Sequence, residues 1–283
     1  MTVEQAILLT LQVSILLTVF GFGLQATAAD VLSIRRQPRL LGRSLLSLFV
    51  VMPIVAVALT DTFVLLPSVE AVLLALAISP VPPLLPGRGR KAGADRSYGL
   101  GLMLVAGLLS IVLVPLTLGL LGRYFDRPFS MPFLAIARVV VVAAALPLFV
   151  GMVVRVLAPL VAARIAKPVV VGAQSLLIAG VLALLARALP TALLLVGNGT
   201  LLAMAAFMVA GLAAGHWLGG PVPGNRLVLA LSTSSRHPAI AFAIVQVNFP
   251  GEPDLGAAVV LYLFVSLCIG FPYTMWQRRR MLG

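Results

Sequence analysis

Residues 227–249 read LVLALSTSSRHPAIAFAIVQVNF, two apolar runs that would each cover about half of a bilayer crossing, joined by hydroxyls, an arginine, a histidine and a proline. Arg236 falls about ten residues from each end of this segment, near mid-depth of a membrane that takes roughly 20 residues to span. A guanidinium at that depth costs at least a few kcal/mol, about 3 on insertion scales, unless polar groups surround it. Pro238 suits the first turn of a new helix, where its missing N–H is not needed, and the hydroxyls of Ser232, Thr233, Ser234 and Ser235 suit a cap ahead of it. The stretch therefore predicts a broken transmembrane helix. Its second half would aim a partial positive charge at the place Arg236 occupies, so that an anion is favoured there. His237 adds a group whose charge changes near neutral pH.

A second break lies upstream, in Ser79, Pro80, Val81, Pro82, Pro83, Leu84, Leu85, Pro86, Gly87, Arg88. Prolines at this density exclude a continuous helix, since each removes a donor and clashes with the preceding turn. Irregular chain at membrane depth survives only where protein buries it or water reaches it. Arg88 reads in two ways, as a second cation of the same site or as the first cation of a cytoplasmic run with Arg90, Lys91 and Arg96.

The composition is that of a membrane protein: 61% of the 283 residues are hydrophobic and only 10% charged, far below the charge of a soluble domain. Apolar stretches fit spans at 5–26, 41–59, 68–86, 98–121, 133–155, 169–187, 194–218, 224–247 and 255–276, about nine in all, within a single transmembrane domain over 1–283. The first stretch lacks a basic leader and reads as a retained helix. Alternate connections carry most of the cations, from Arg35, Arg36, Arg39 and Arg43 through Arg155, Arg164 and Lys167 to Arg278, Arg279 and Arg280. The positive-inside rule then puts the N-terminus outside the cell membrane and the C-terminus in the cytoplasm. The net charge of +12 reads as topology plus contact with anionic lipid, with no nucleic-acid partner. The lone Cys268 excludes a disulfide framework or a cysteine metal site. Arg138 is expected to snorkel outward, and Gln25, Gln174 and Asn198 to tie neighbouring helices together.

Spans one to four and six to nine have opposite orientations, and the broken span is third in each set. Inverted repeats with matching interrupted helices are the sequence pointer to a secondary transporter whose site lies where the breaks meet. Its lining would comprise Arg236, His237, Ser232, Thr233, Ser234, Ser235, Pro82, Pro83 and Arg88. An enzyme is not expected: Ser232 or Ser235 beside His237 is the sole nucleophile candidate, with no membrane carboxylate to orient the imidazole.

Val19 to Leu59, with FGFGL, Asp30, the basic-Pro loop RRQPR and the later Met52-Pro53, resembles the second and third helices of the bile acid:sodium symporter family. The likeness continues through SPVPPLLPGR to Pro115 and resumes over Leu227 to Phe249, with the first helix absent as in nine-helix members. It implies a panel and a core domain, an organic-anion substrate and two sodium ions at the crossing of the broken helices. The family's sodium ligands, however, fall here on Gly87, Arg88, Gly101, Val105, Ser232 and Arg236. The residues therefore argue against classical two-sodium coupling. Arg236, with Arg88, would instead be a built-in cation that meets the anion directly, and proton or sodium stays open as the coupling ion. No other cofactor is expected. Auxin-efflux-type or arsenite-efflux carriers, and a membrane sensor without transport, remain as alternatives.

Overall fold

The computed structural model describes residues 3–82, 96–126, 129–252 and 254–282, and these are built from helices and short connections. In chain order they are α1 (Val3–Gly23), a short α2 (Ala28–Leu32), α3 (Pro38–Thr62), α4 (Pro67–Ile78), α5 (Arg96–Tyr124), α6 (Phe133–Leu157), α7 (Pro159–Leu194), α8 (Thr200–Leu218), α9 (Pro223–Ser234), α10 (Pro238–Asn248) and α11 (Leu255–Leu282). Proline opens α3, α4, α7, α9 and α10, where its fixed φ suits the first turn and its missing N–H removes no helical bond. Among the described residues seven continuous helices are long and apolar enough to cross a bilayer. The third and eighth expected spans are the interrupted ones, represented by α4 and by the pair α9 and α10.

One boundary differs from the sequence reading. The sixth span, expected over 169–187, is part of a single helix from Pro159 to Leu194, separated from α6 by Ala158 alone. Arg164 and Lys167 suggest a loop on charge, yet both are exposed on the helix surface, where long stems carry the charge toward water. Pro168 and Pro190 lie inside the helix without ending it, because each removes only one backbone bond and neighbouring groups can absorb that loss.

The helices form two packed groups. α1 lies against α6 and α7, and these three make one layer. α3, α4, α5, α8, α9, α10 and α11 make the other, joined to the first chiefly through α7 on α11 and α5 on α6. Inside the first layer α1 and α6 touch backbone to backbone: a Cβ on Gly23 would stand 2.3 Å from the Leu148 carbonyl oxygen and 2.9 Å from the Gly151 Cα. Small residues let helices approach this closely in lipid, where dispersion rather than the hydrophobic effect holds them together. Inside the second layer α8 and α9 do the same, since a Cβ on Gly215 would meet the Ala230 Cα at 2.4 Å.

α4 and α9 are covered by protein around their whole circumference. Val69 and Ala71 to Ile78 are all buried on α4, and so is every residue of α9 from Gly224 to Ser234 except Arg226. An all-round apolar helix belongs inside a bundle. α7, by contrast, shows Leu160, Val161, Val171, Ile178, Leu182 and Leu194 to its surroundings, the pattern of a helix facing acyl chains. The two half-helices thus sit where broken backbone is tolerated.

Candidate functional site

α4 ends at Ile78 and the chain continues extended, with Ser79 as its cap and Pro80, Val81 and Pro82 buried. In a continuing helix residue 80 would donate its N–H to the Leu76 carbonyl; Pro80 has none to give, and Ser79 donates to that carbonyl instead, with its N–H at 3.1 Å and its hydroxyl at 2.9 Å. A vacancy arises in α3, where Ser47–Val51 form a π-turn and Pro53 follows five residues after Leu48. A π-turn pairs residue i with i+5, so the proline leaves the Leu48 carbonyl without its main-chain donor.

Arg236 supplies what Pro53 withholds and adds a charged donor at the end of α4. Its Nε donates to the Leu76 carbonyl at 3.0 Å and its Nη2 to the Leu48 carbonyl at 2.7 Å, and Nη2 also bonds the Ala77 carbonyl at the end of α4. The side chain is only 1% exposed. Placing a cation at the C-terminal end of α4 also matches the partial negative charge of that end. Its Nη1 is buried and has no hydrogen-bond partner among the described residues.

His237 links the second break to the first. Its N–H donates to the Pro80 carbonyl at 3.0 Å and to Ser79 Oγ at 3.1 Å, a main-chain bond between two extended segments at membrane depth. The imidazole Nδ1 accepts from the Ile240 N–H at 3.4 Å and caps α10. The cap is therefore His237 and not the expected hydroxyls. The helix geometry explains why: Ser232, Thr233 and Ser234 belong to the last turn of α9, and Ser235 closes it by donating its N–H to the Leu231 carbonyl. A proton added to the neutral ring would land on the nitrogen that caps α10.

The hydroxyl run lies at the site but faces different neighbours. Thr233 Oγ1 pairs with Ser47 Oγ of α3 at 2.8 Å, and the Ser234 carbonyl accepts from Tyr262 Oη of α11 at 2.5 Å. Ser232 and Ser235 are buried beside them. Thr233→Val keeps the shape and removes the interhelical bond. A loss of about 1 kcal/mol is expected, within the range for such bonds in helical membrane proteins. Unfolding of the purified protein in detergent measures it, and a double-mutant cycle with Ser47→Ala should show that the two residues are coupled.

Among the expected site residues, Arg236, His237, Ser232, Thr233, Ser234, Ser235 and Pro82 are gathered at the crossing; Pro83 and Arg88 lie outside the described residues. The sequence reading missed Leu48, Ser47, Ser79 and Tyr262. Leu48 acts through its carbonyl, so only Pro53 announces it. Arg138 is exposed as expected. Asn198, expected to tie helices together, instead sits exposed in a left-handed turn with φ 44°, a conformation asparagine tolerates. Gln25, just past the end of α1, donates to the Gly21 carbonyl at 3.0 Å, and its own carbonyl accepts from Arg155 of α6.

The model of the Sodium Bile acid symporter family matches residues 12–196. The chain belongs to that family. It is a multi-pass protein of a transporter family, and the first break falls inside the matched stretch, whereas Arg236 and the second break lie beyond its end. No curated protein matches the chain significantly.

The family's name raises sodium, and the crossing can be tested for it. The oxygens that converge there, on Leu48, Leu76 and Ala77, already accept from a guanidinium. Among the described residues no group of three His, Cys, Asp or Glu side chains could hold a metal ion. Asp30, Asp61, Glu70, Asp126, Glu252 and Asp254 stand at helix ends or in connections, away from the crossing. A second monovalent cation about 4 Å from Arg236 would meet a repulsion of about 4 kcal/mol at the effective dielectric typical of proteins. These residues do not fit a free sodium ion at the guanidinium's position.

Proposed function

We propose that this member of the sodium bile acid symporter family is a secondary active transporter that moves a small organic anion by alternating access, binding it at the crossing of the two interrupted helices. The observation that carries this reading is the buried Arg236, which joins both breaks and retains one N–H-bearing nitrogen, Nη1, without a hydrogen-bond partner among the described residues. A desolvated guanidinium edge next to the start of α10 favours a carboxylate or similar anion. The hydroxyls of Ser232 and Ser235 and the chain around Pro82 provide the nearby polar lining, with Pro83 and Arg88 retained from the sequence reading as further lining.

Alternating access is supported by the two-layer arrangement, since a change of packing between α1, α6 and α7 and the remaining helices would open the crossing to one side or the other. Inverted repeats over spans one to four and six to nine give the same reading of the two breaks. The distribution of arginines favours a cell-membrane protein with its N-terminus outside and its C-terminus in the cytoplasm. The coupling ion is a proton or sodium, and the lipid bilayer is the other partner.

A melting screen of the purified protein against a panel of small organic anions, with and without sodium and at two pH values, tests the reading. An anionic ligand should raise the melting temperature by mass action, by about 3 °C or more at concentrations well above its dissociation constant. The same anion should then cross the membrane of proteoliposomes. A panel that stabilises only through cations or neutral solutes would overturn the assignment.

A further inference from the structure

Three carbonyl oxygens from two separate helices point at one place in the crossing, and all three accept from Arg236. Pro53 deprives Leu48 of its main-chain donor, the end of α4 leaves Ala77 without a successor turn, and Leu76, to which Pro80 has no N–H to give, accepts from the N–H and hydroxyl of Ser79 as well as from the guanidinium. The negative end of the α4 dipole adds to them. Such a cluster is a cation-binding arrangement before any ligand is considered. In this chain the cation is covalently attached.

We infer that the Leu48, Leu76 and Ala77 carbonyls form an alkali-cation site that the protein fills permanently with the guanidinium of Arg236, so that the crossing works without sodium and regains a sodium requirement when the guanidinium is removed. The inference deepens the transport reading above and rests on it for its consequence in flux, while the occupancy itself is a statement about the folded protein. A planar guanidinium satisfies the carbonyls along one edge and leaves Nη1 without a hydrogen-bond partner among the described residues. A bound sodium ion would do the first and could leave again on each cycle. The fixed charge therefore separates two jobs that a mobile ion performs together: holding the two breaks against each other, and responding to the ion gradient. Only the first is left to this site.

Arg236→Gln is the informative change, because it removes the charge, opens space and adds an amide oxygen to the three carbonyls. Arg236→Lys keeps a monovalent cation with donors for the same oxygens. The full-length wild type and both variants are melted in detergent, in sodium chloride and in choline chloride of equal ionic strength. Wild type and R236K should melt at the same temperature in the two salts, whereas R236Q should melt about 3 °C higher in sodium. A sodium-specific rise in wild type, or its absence in folded R236Q, would overturn the inference. Where R236Q yields no folded protein, equilibrium dialysis of wild type against radioactive sodium decides: no bound ion supports the inference and one ion per chain overturns it. Failure of the transport reading shows separately, as absence of anion flux in either salt, and leaves these melting temperatures unchanged.

Discussion

Arg236→Gln should reduce uptake of the transported anion into proteoliposomes to less than about a tenth of the wild-type rate, the loss expected when a charge-assisted contact worth more than about 1.4 kcal/mol disappears. It should also destabilise the fold. Leu48, Leu76 and Ala77 would each lose a charged donor in a buried site; Leu76 keeps Ser79 as a donor, and stranding the other two carbonyls costs roughly 1–3 kcal/mol apiece before relaxation. An amide can replace at most part of this, so a net loss of about 3 kcal/mol is expected. Arg236→Lys separates the two effects: an ammonium can reach some of the carbonyls but does not present the planar edge that holds Nη1 in place. Stability should thus recover more than uptake does. Wild-type transport by R236Q would remove the anion-binding role from the crossing.

Gly215→Val should be the most damaging substitution away from the site. Its Cβ would stand 2.4 Å from the Ala230 Cα, 2.5 Å from the Leu229 carbonyl oxygen and 2.6 Å from the Ala230 nitrogen. All of these are backbone atoms, so no rotamer change relieves the clash, and α8 must separate from α9. Overpacking of this kind costs about 3 kcal/mol or more, and here it would also displace the helix that leads into Arg236. Thermal unfolding in detergent should show a much lower midpoint, with uptake lost alongside. Gly119→Ala is the matching control, because a Cβ at that position would have nothing within 4 Å and alanine favours a helix by about 0.5–1 kcal/mol over glycine. Equal melting of the two variants would mean that α8 and α9 do not depend on close contact.

Both breaks can be located in the sequence because proline and charge act locally. Pro80 and Pro82 together withdraw two donors within three residues and break the next helical turn, which the single Pro168 does not do in α7, and Pro238 announces a helix start. Arg236 at membrane depth demands polar company, and that much is legible. Which company is not, because the partners are carbonyls of Leu48, Leu76 and Ala77, and any residue type offers a carbonyl. Only Pro53 carries a trace of the Leu48 vacancy. The cap of α10 escapes the sequence for a related reason: hydroxyls suit both the end of one helix and the start of the next, and the pairings of Thr233 with Ser47 and of Tyr262 with the Ser234 carbonyl depend on how α3 and α11 lie in space. The long reach of α7 is hidden by Arg164, Lys167 and Pro168, three residues that look like a loop in one dimension and belong to a continuous helix in three.

The order of the groups along the chain has a consequence for biosynthesis. The acceptors at positions 48, 76 and 77 are made well before the arginine at 236, so they are already in the membrane when the cationic segment leaves the ribosome. A guanidinium that arrived first would wait in hydrocarbon or pull its segment back toward water. Arriving last, it can lock onto oxygens laid down earlier, and the costliest side chain of the protein becomes the closing step of its assembly.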